Sequence, residues 1–135
     1  MKRRIVFGLA MGLASLVSGD VRADVCVYPW VQVRQVLGVV VDPDGRPISE
    51  AKVAVLKDDV QIAAQQAKYD GRFSFDGLAA GGYELRVEAR GFMPGGYNLI
   101  LYKPERSWRR MIRVPLDVGM GCASNITLVK RIHRR

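Results

Sequence analysis

Histidine is almost missing from this chain: its single copy, His133, sits in a basic tail, and only two cysteines accompany it. A catalytic zinc or iron centre therefore has no supply of ligands. A serine triad would have to recruit its base from the far C-terminal end. Long apolar runs are missing too, since none approaches the roughly 18 residues that a membrane span requires. Beyond the leading apolar stretch no segment holds a sustained helical period. What is present is an apolar fraction of 49% and 14 glycines in 135 residues, which excludes an intrinsically disordered chain. That length accommodates one domain.

The first residues carry an address. Lys2-Arg3-Arg4 precedes an apolar stretch over residues 5–17, and Val21-Arg22-Ala23 supplies small or aliphatic residues at the −3 and −1 positions. Charged, apolar, then small is the order of a secretory signal peptide, with cleavage expected between Ala23 and Asp24 and Gly19 as the alternative. A retained signal anchor is disfavoured by the short apolar run. Twin-arginine export and a lipid anchor at Cys26 both lack their consensus residues. The expected location is periplasmic or secreted, with no membrane span after cleavage.

Removing residues 1–23 leaves 17 Lys/Arg against 12 Asp/Glu, a net charge of +5. From Gln35 to Leu101 there are seven basic and nine acidic residues, whereas from Tyr102 to Arg135 there are nine against two. The excess basicity is confined to the C-terminal quarter. The two cysteines, Cys26 and Cys122, lie near opposite ends of the exported chain, and a bond between them is the default in an oxidising compartment. Two buried thiols or intermolecular pairing are the competing readings. A redox pair is not expected, because the two form no C-x-x-C.

The middle of the chain alternates. Tyr83-Glu84-Leu85-Arg86-Val87-Glu88-Ala89-Arg90 has the period of two that marks a half-buried strand, with Tyr83, Leu85, Val87 and Ala89 towards the core. Its outward Glu-Arg-Glu-Arg face reads as ordinary solvated surface. Arg72-Phe73-Ser74-Phe75 and Ala51-Lys52-Val53-Ala54-Val55 repeat the pattern, and residues 36–41 form an apolar run suited to a strand covered on both faces. Residues 63–68, 97–102, 111–114 and 126–129 read as further strands. Asp42-Pro43-Asp44-Gly45-Arg46-Pro47 is turn chemistry, Tyr69-Asp70-Gly71 a hairpin signal, and the glycines at 77–82 and 91–96 read as connections. Short strands with a turn about every ten residues predict a β-sandwich.

Leu37-Gly38-Val39-Val40-Val41-Asp42, Asp44-Gly45-Arg46-Pro47-Ile48 and Ala51-Lys52-Val53-Ala54-Val55 resemble the opening of a carboxypeptidase regulatory-like domain. Asp70-Gly71-Arg72-Phe73-Ser74-Phe75, Leu78, Gly82-Tyr83-Glu84-Leu85-Arg86-Val87 and Ala89-Arg90-Gly91-Phe92 continue it in the family's order. The resemblance covers about residues 36–101. It implies an all-β, seven-stranded antiparallel Greek-key sandwich of transthyretin (prealbumin) type, and a module that is usually non-catalytic. The expected organisation is a signal peptide over 1–23, an N-terminal extension with Cys26 over 24–35, the sandwich over 36–118, and a C-terminal strand and basic tail with Cys122 over 119–135.

Tests for chemistry fail in turn. A hydrolase of the related hydroxyisourate type would need several histidines and a Tyr-Arg-Gly-Ser ending, but this chain ends in Arg134-Arg135. Asp42, Asp44 and Glu50 do not fit an EF-type calcium loop. No enzyme activity, metal or cofactor is expected. Binding is the better prospect: Lys103, Arg106, Arg109, Arg110 and Arg113 surround Trp108, a pattern able to hold an anionic polymer or an acidic protein face. A solvated arginine loop with Trp108 tucked into the sandwich is the rival reading, and export argues against nucleic acid. Tyr28-Pro29-Trp30 is expected to pack across one end of the sandwich, with an aromatic sugar platform as its alternative. The expected function is an exported, non-catalytic binding or structural module of the cell envelope, its partner a protein or an anionic surface polymer. The alternatives are a carbohydrate-binding module using Tyr28, Trp30 and Trp108, and an accessory subunit of a separately encoded envelope enzyme.

Overall fold

The computed structural model describes residues 26–119 and 121–131. The expected signal peptide, the Ala23–Asp24 cleavage point and the tail carrying His133 lie outside the described residues. Nine strands occur among those described: β1 (Val31–Val33), β2 (Val36–Val41), β3 (Lys52–Lys57), β4 (Val60–Gln66), β5 (Arg72–Phe75), β6 (Gly81–Glu88), β7 (Gly95–Leu101), β8 (Arg110–Pro115) and β9 (Thr127–Lys130). They form a five-stranded sheet ordered β1-β7-β6-β3-β4 and a four-stranded sheet ordered β5-β2-β8-β9.

Alternation decides what each strand buries. On β6, Tyr83, Leu85 and Val87 are at most 3% exposed, and they meet Leu99, Tyr97 and Gly95 of β7 across the ladder. The facing sheet contributes Phe73 and Phe75 from β5 and Ile112 and Val114 from β8. Each such side chain contributes about 1.5–3 kcal/mol through removal from water. The apolar run of residues 36–41 becomes β2, flanked by β5 and β8, with Val36 and Val40 in the core and Val41 buried on the other face. The Tyr83 hydroxyl donates to Ala79 O at 2.5 Å, which satisfies the one polar atom of a buried ring.

The sandwich has two more strands than the expected seven, and it is not wholly antiparallel. β1 and β7 run parallel, as do β2 and β8. Val31-Gln32-Val33, expected as part of an extension, is a short strand that covers the edge of β7, and Val33 is fully buried. Three residues are too few to display a period. The turn at Tyr69-Asp70-Gly71 is no hairpin, because β4 and β5 belong to different sheets. The pairs Gly81-Gly82 and Gly95-Gly96, expected as connections, lie inside β6 and β7. The hairpin proper joins β3 to β4 through Asp58 and Asp59, both with positive φ (50° and 64°).

Cys26 and Cys122 are disulfide-bonded, with Cα atoms 5.6 Å apart across a sequence separation of 96. The bond ties the segment ahead of β1 to the segment ahead of β9.

Candidate functional site

The C-terminal cations do not form one cluster. Arg110 and Lys130 are direct cross-strand partners on β8 and β9, both exposed. Next to them the Arg131 amide donates to Arg109 O at 2.7 Å, and its guanidinium donates to Arg106 O at 3.4 Å. Arg106, Arg109, Arg110, Lys130 and Arg131 therefore converge on one corner of the four-stranded sheet. Ion pairs among the described residues join Arg34 to Glu105, Arg72 to Asp70 and Arg86 to Glu84, and none reaches this corner. Like charges directly opposite on a ladder cost stability. Among the described residues no carboxylate is ion-paired to this corner.

The other expected members stand apart. Lys103, at φ 44°, accepts at its carbonyl from Arg34 Nε (3.2 Å), and Arg34 in turn pairs with Glu105 at 2.8 Å and lies over the Tyr102 ring. On that side Glu105 balances Arg34, and Lys103 takes part through its backbone carbonyl. Arg113 points to the outer face of the four-stranded sheet beside Val39 and Thr127, with its guanidinium next to the Gly45 turn. Trp108 is partly buried and packs on the core. Lys130 and Arg131 complete the corner although the sequence alone places both in the basic tail, and Lys130 is in fact the last residue of β9. Only the pairing of β8 with β9 brings them to Arg110, and no local pattern announces it.

The Tyr28-Pro29-Trp30 triplet is split. Tyr28 stacks against Tyr97 (ring centroids 5.0 Å apart), donates its hydroxyl to Ala123 O at 2.6 Å, and closes the sandwich edge beside the disulfide. Burial raises the pKa of both phenols, most strongly that of Tyr97, to which Tyr28 adds a smaller electrostatic contribution. Trp30 goes the other way, onto the outer face of the five-stranded sheet, where it is 55% exposed. Trp30 and Trp108 therefore do not make a shared aromatic platform.

The two facing sheets define an all-β sandwich of transthyretin-like architecture, closed at one edge by a terminal disulfide. The chain belongs to the carboxypeptidase regulatory-like domain family, whose profile matches residues 35–109. Among solved structures it is similar to the 5-hydroxyisourate hydrolase of Klebsiella pneumoniae, with 12% identity and a TM-score of 0.53 over 74% of this chain and 100% of that one. At that identity the likeness speaks for the fold alone. No curated protein matches the chain.

Proposed function

We propose that the protein is an exported, non-catalytic sandwich module of the cell envelope that engages an anionic partner, a surface polymer or an acidic protein face, through its basic corner. One observation carries this reading: Arg110 and Lys130 oppose each other on β8 and β9, flanked by Arg109, Arg131 and Arg106, and among the described residues no carboxylate is ion-paired to any of them. A fold gains nothing from such a concentration of one sign, and an anion would relieve it. The disulfide is in keeping with an oxidising compartment. Family membership supports a regulatory-type module over an enzyme.

The test is retention of the exported protein on immobilised heparin, used as a generic polyanion. Elution should require salt well above about 0.15 M, where screening acts over roughly 8 Å. The triple variant Arg109→Gln/Arg110→Gln/Lys130→Gln should elute far earlier with a melting temperature no lower than that of the wild type. Arg113→Gln should elute with the wild type, because it faces elsewhere. Equal retention of the triple variant refutes the assignment of the corner.

A further inference from the structure

The outward row of β6, Glu84, Arg86 and Glu88, stands between two hollows on the outer face of the five-stranded sheet. On one side a cavity of about 840 Å³ lies between this row, Gly96 and Asn98 of β7, and the disulfide-linked segments at Tyr28 and Ala123. On the other side about 440 Å³ opens above Ala54 and Ala64, bordered by Lys52, Gln61 and Gln66. Arg86 and Glu88 line both. The hollows exist because the ridge is long and its ladder neighbours are small: Gly96 on β7 and Ala54 on β3 are the partners of Arg86.

Trp30 stands at one end of the ridge. Its six-membered ring rests on Gly82, where a Cβ would lie 3.2 Å from one ring atom and 3.3 Å from another. Gly82 is one outward position before Glu84, roughly 7 Å along the strand. A glycine seat holds the indole against the sheet and leaves 55% of the residue exposed.

The charges on this face balance. Glu84 is held by Arg86 through two hydrogen bonds (2.9 and 3.3 Å), and Glu88 lies opposite Lys52. Asn98 donates to Tyr28 O at 3.0 Å. The surface thus offers a flat π face followed by closely spaced planar donors and acceptors whose charges are paired, beside a hollow that Val27, Met93 and Pro94 also line. A purely charged ligand gains little from charges that are already paired, and a purely apolar one would cover Glu84, Arg86 and Glu88 without satisfying them. A sugar ring meets both of its demands, an apolar C–H face for the indole and equatorial hydroxyls for the carboxylates, guanidinium and amides. We propose that this face binds a neutral oligosaccharide, with one ring stacked on Trp30 and the following rings laid along Glu84, Arg86 and Glu88. The site is on the opposite sheet from the basic corner and does not depend on it.

The experiment titrates the exported protein with cellohexaose, maltohexaose and chitohexaose, read by calorimetry and tryptophan fluorescence. At least one should saturate with a Kd between about 1 μM and about 1 mM, without sensitivity to salt. Trp30→Ala should weaken it by about tenfold or more and remove the fluorescence change. Glu88→Ala, at an exposed position of a complete strand, should also weaken binding at an unchanged melting temperature. Arg109→Gln/Arg110→Gln should bind like the wild type. Absence of saturation by all three hexaoses at concentrations on the order of 1 mM, or undiminished affinity in both Trp30→Ala and Glu88→Ala, overturns the proposal.

Discussion

Gly38 is the most constrained position in the four-stranded sheet, for a reason unrelated to backbone freedom. It lies mid-strand on β2, facing inward between Phe73 of β5 and Ile112 of β8. A Cβ there would sit 2.4 Å from Ile112 O and 2.6 and 2.9 Å from two atoms of the Phe73 ring. The first contact is with backbone in a ladder, and the second is with a ring only 1% exposed. Neither neighbour can move freely. Gly38→Ala should therefore cost about 1–3 kcal/mol, the usual range for one extra carbon in a packed core. For a domain of this size that lowers the melting temperature by roughly 4–8 °C per kcal/mol. Gly77→Ala is the complementary control, because Gly77 has φ 77° but nothing within 4 Å of a new Cβ. It should cost only the dihedral strain, about 1–2 kcal/mol. Phe73→Leu trims the ring, so its cost in the Gly38→Ala background should be smaller than in the wild type. The assay is thermal and denaturant unfolding of the four variants. A Gly38→Ala protein within about 0.5 kcal/mol of wild type, or strict additivity with Phe73→Leu, would refute the packing argument.

Three other outcomes rest on the same fold. Leu85→Ala should cost about 2–5 kcal/mol and Arg86→Ala under about 0.5 kcal/mol in denaturant titrations, since one is fully buried and the other exposed on the same strand. Similar costs would mean the register is wrong. Reducing the disulfide, or replacing both cysteines by alanine, should remove roughly 4–5 kcal/mol on a chain-entropy account of its long loop, and peptide mapping of the oxidised protein should link Cys26 to Cys122. Two free thiols contradict this. Tyr97 is held neutral by burial, with its pKa raised above the ordinary 10.0, so the unfolded chain ionises first as pH climbs. Its contribution is complete below about pH 10 and is lost above it. Melting curves should fall more steeply over that range for wild type than for Tyr97→Phe, and parallel curves would exclude the effect.

Much of the sandwich is legible because period-two alternation is local. Arg72-Phe73-Ser74-Phe75 reads directly as β5, and Tyr83, Leu85 and Val87 read directly as core. Glycine is where the local pattern misleads. Its pairs at 81–82 and 95–96 suggest turns, yet Gly82 and Gly95 sit inside strands as seats for the rings of Trp30 and Tyr97, as Gly38 of the expected strand β2 does for Phe73. A missing Cβ serves close approach as well as positive φ, and only the neighbour reveals which. The basic corner was half legible for a similar reason. The charge surplus is visible in composition, but Arg113 leaves the group and Lys130 joins it through strand parity and the β8–β9 register. The outward row of β6 carries no local sign of the hollows beside it, since these depend on Gly96 and Ala54 on neighbouring strands.

The most direct test of the proposed role is co-sedimentation of the protein, without residues 1–23, with native envelope fragments across a salt series. The account predicts binding at low salt that weakens progressively as the ionic strength rises past about 0.15 M, and its absence at every salt concentration in Arg109→Gln/Arg110→Gln/Lys130→Gln. Envelope association that ignores both the salt and the three substitutions would contradict it.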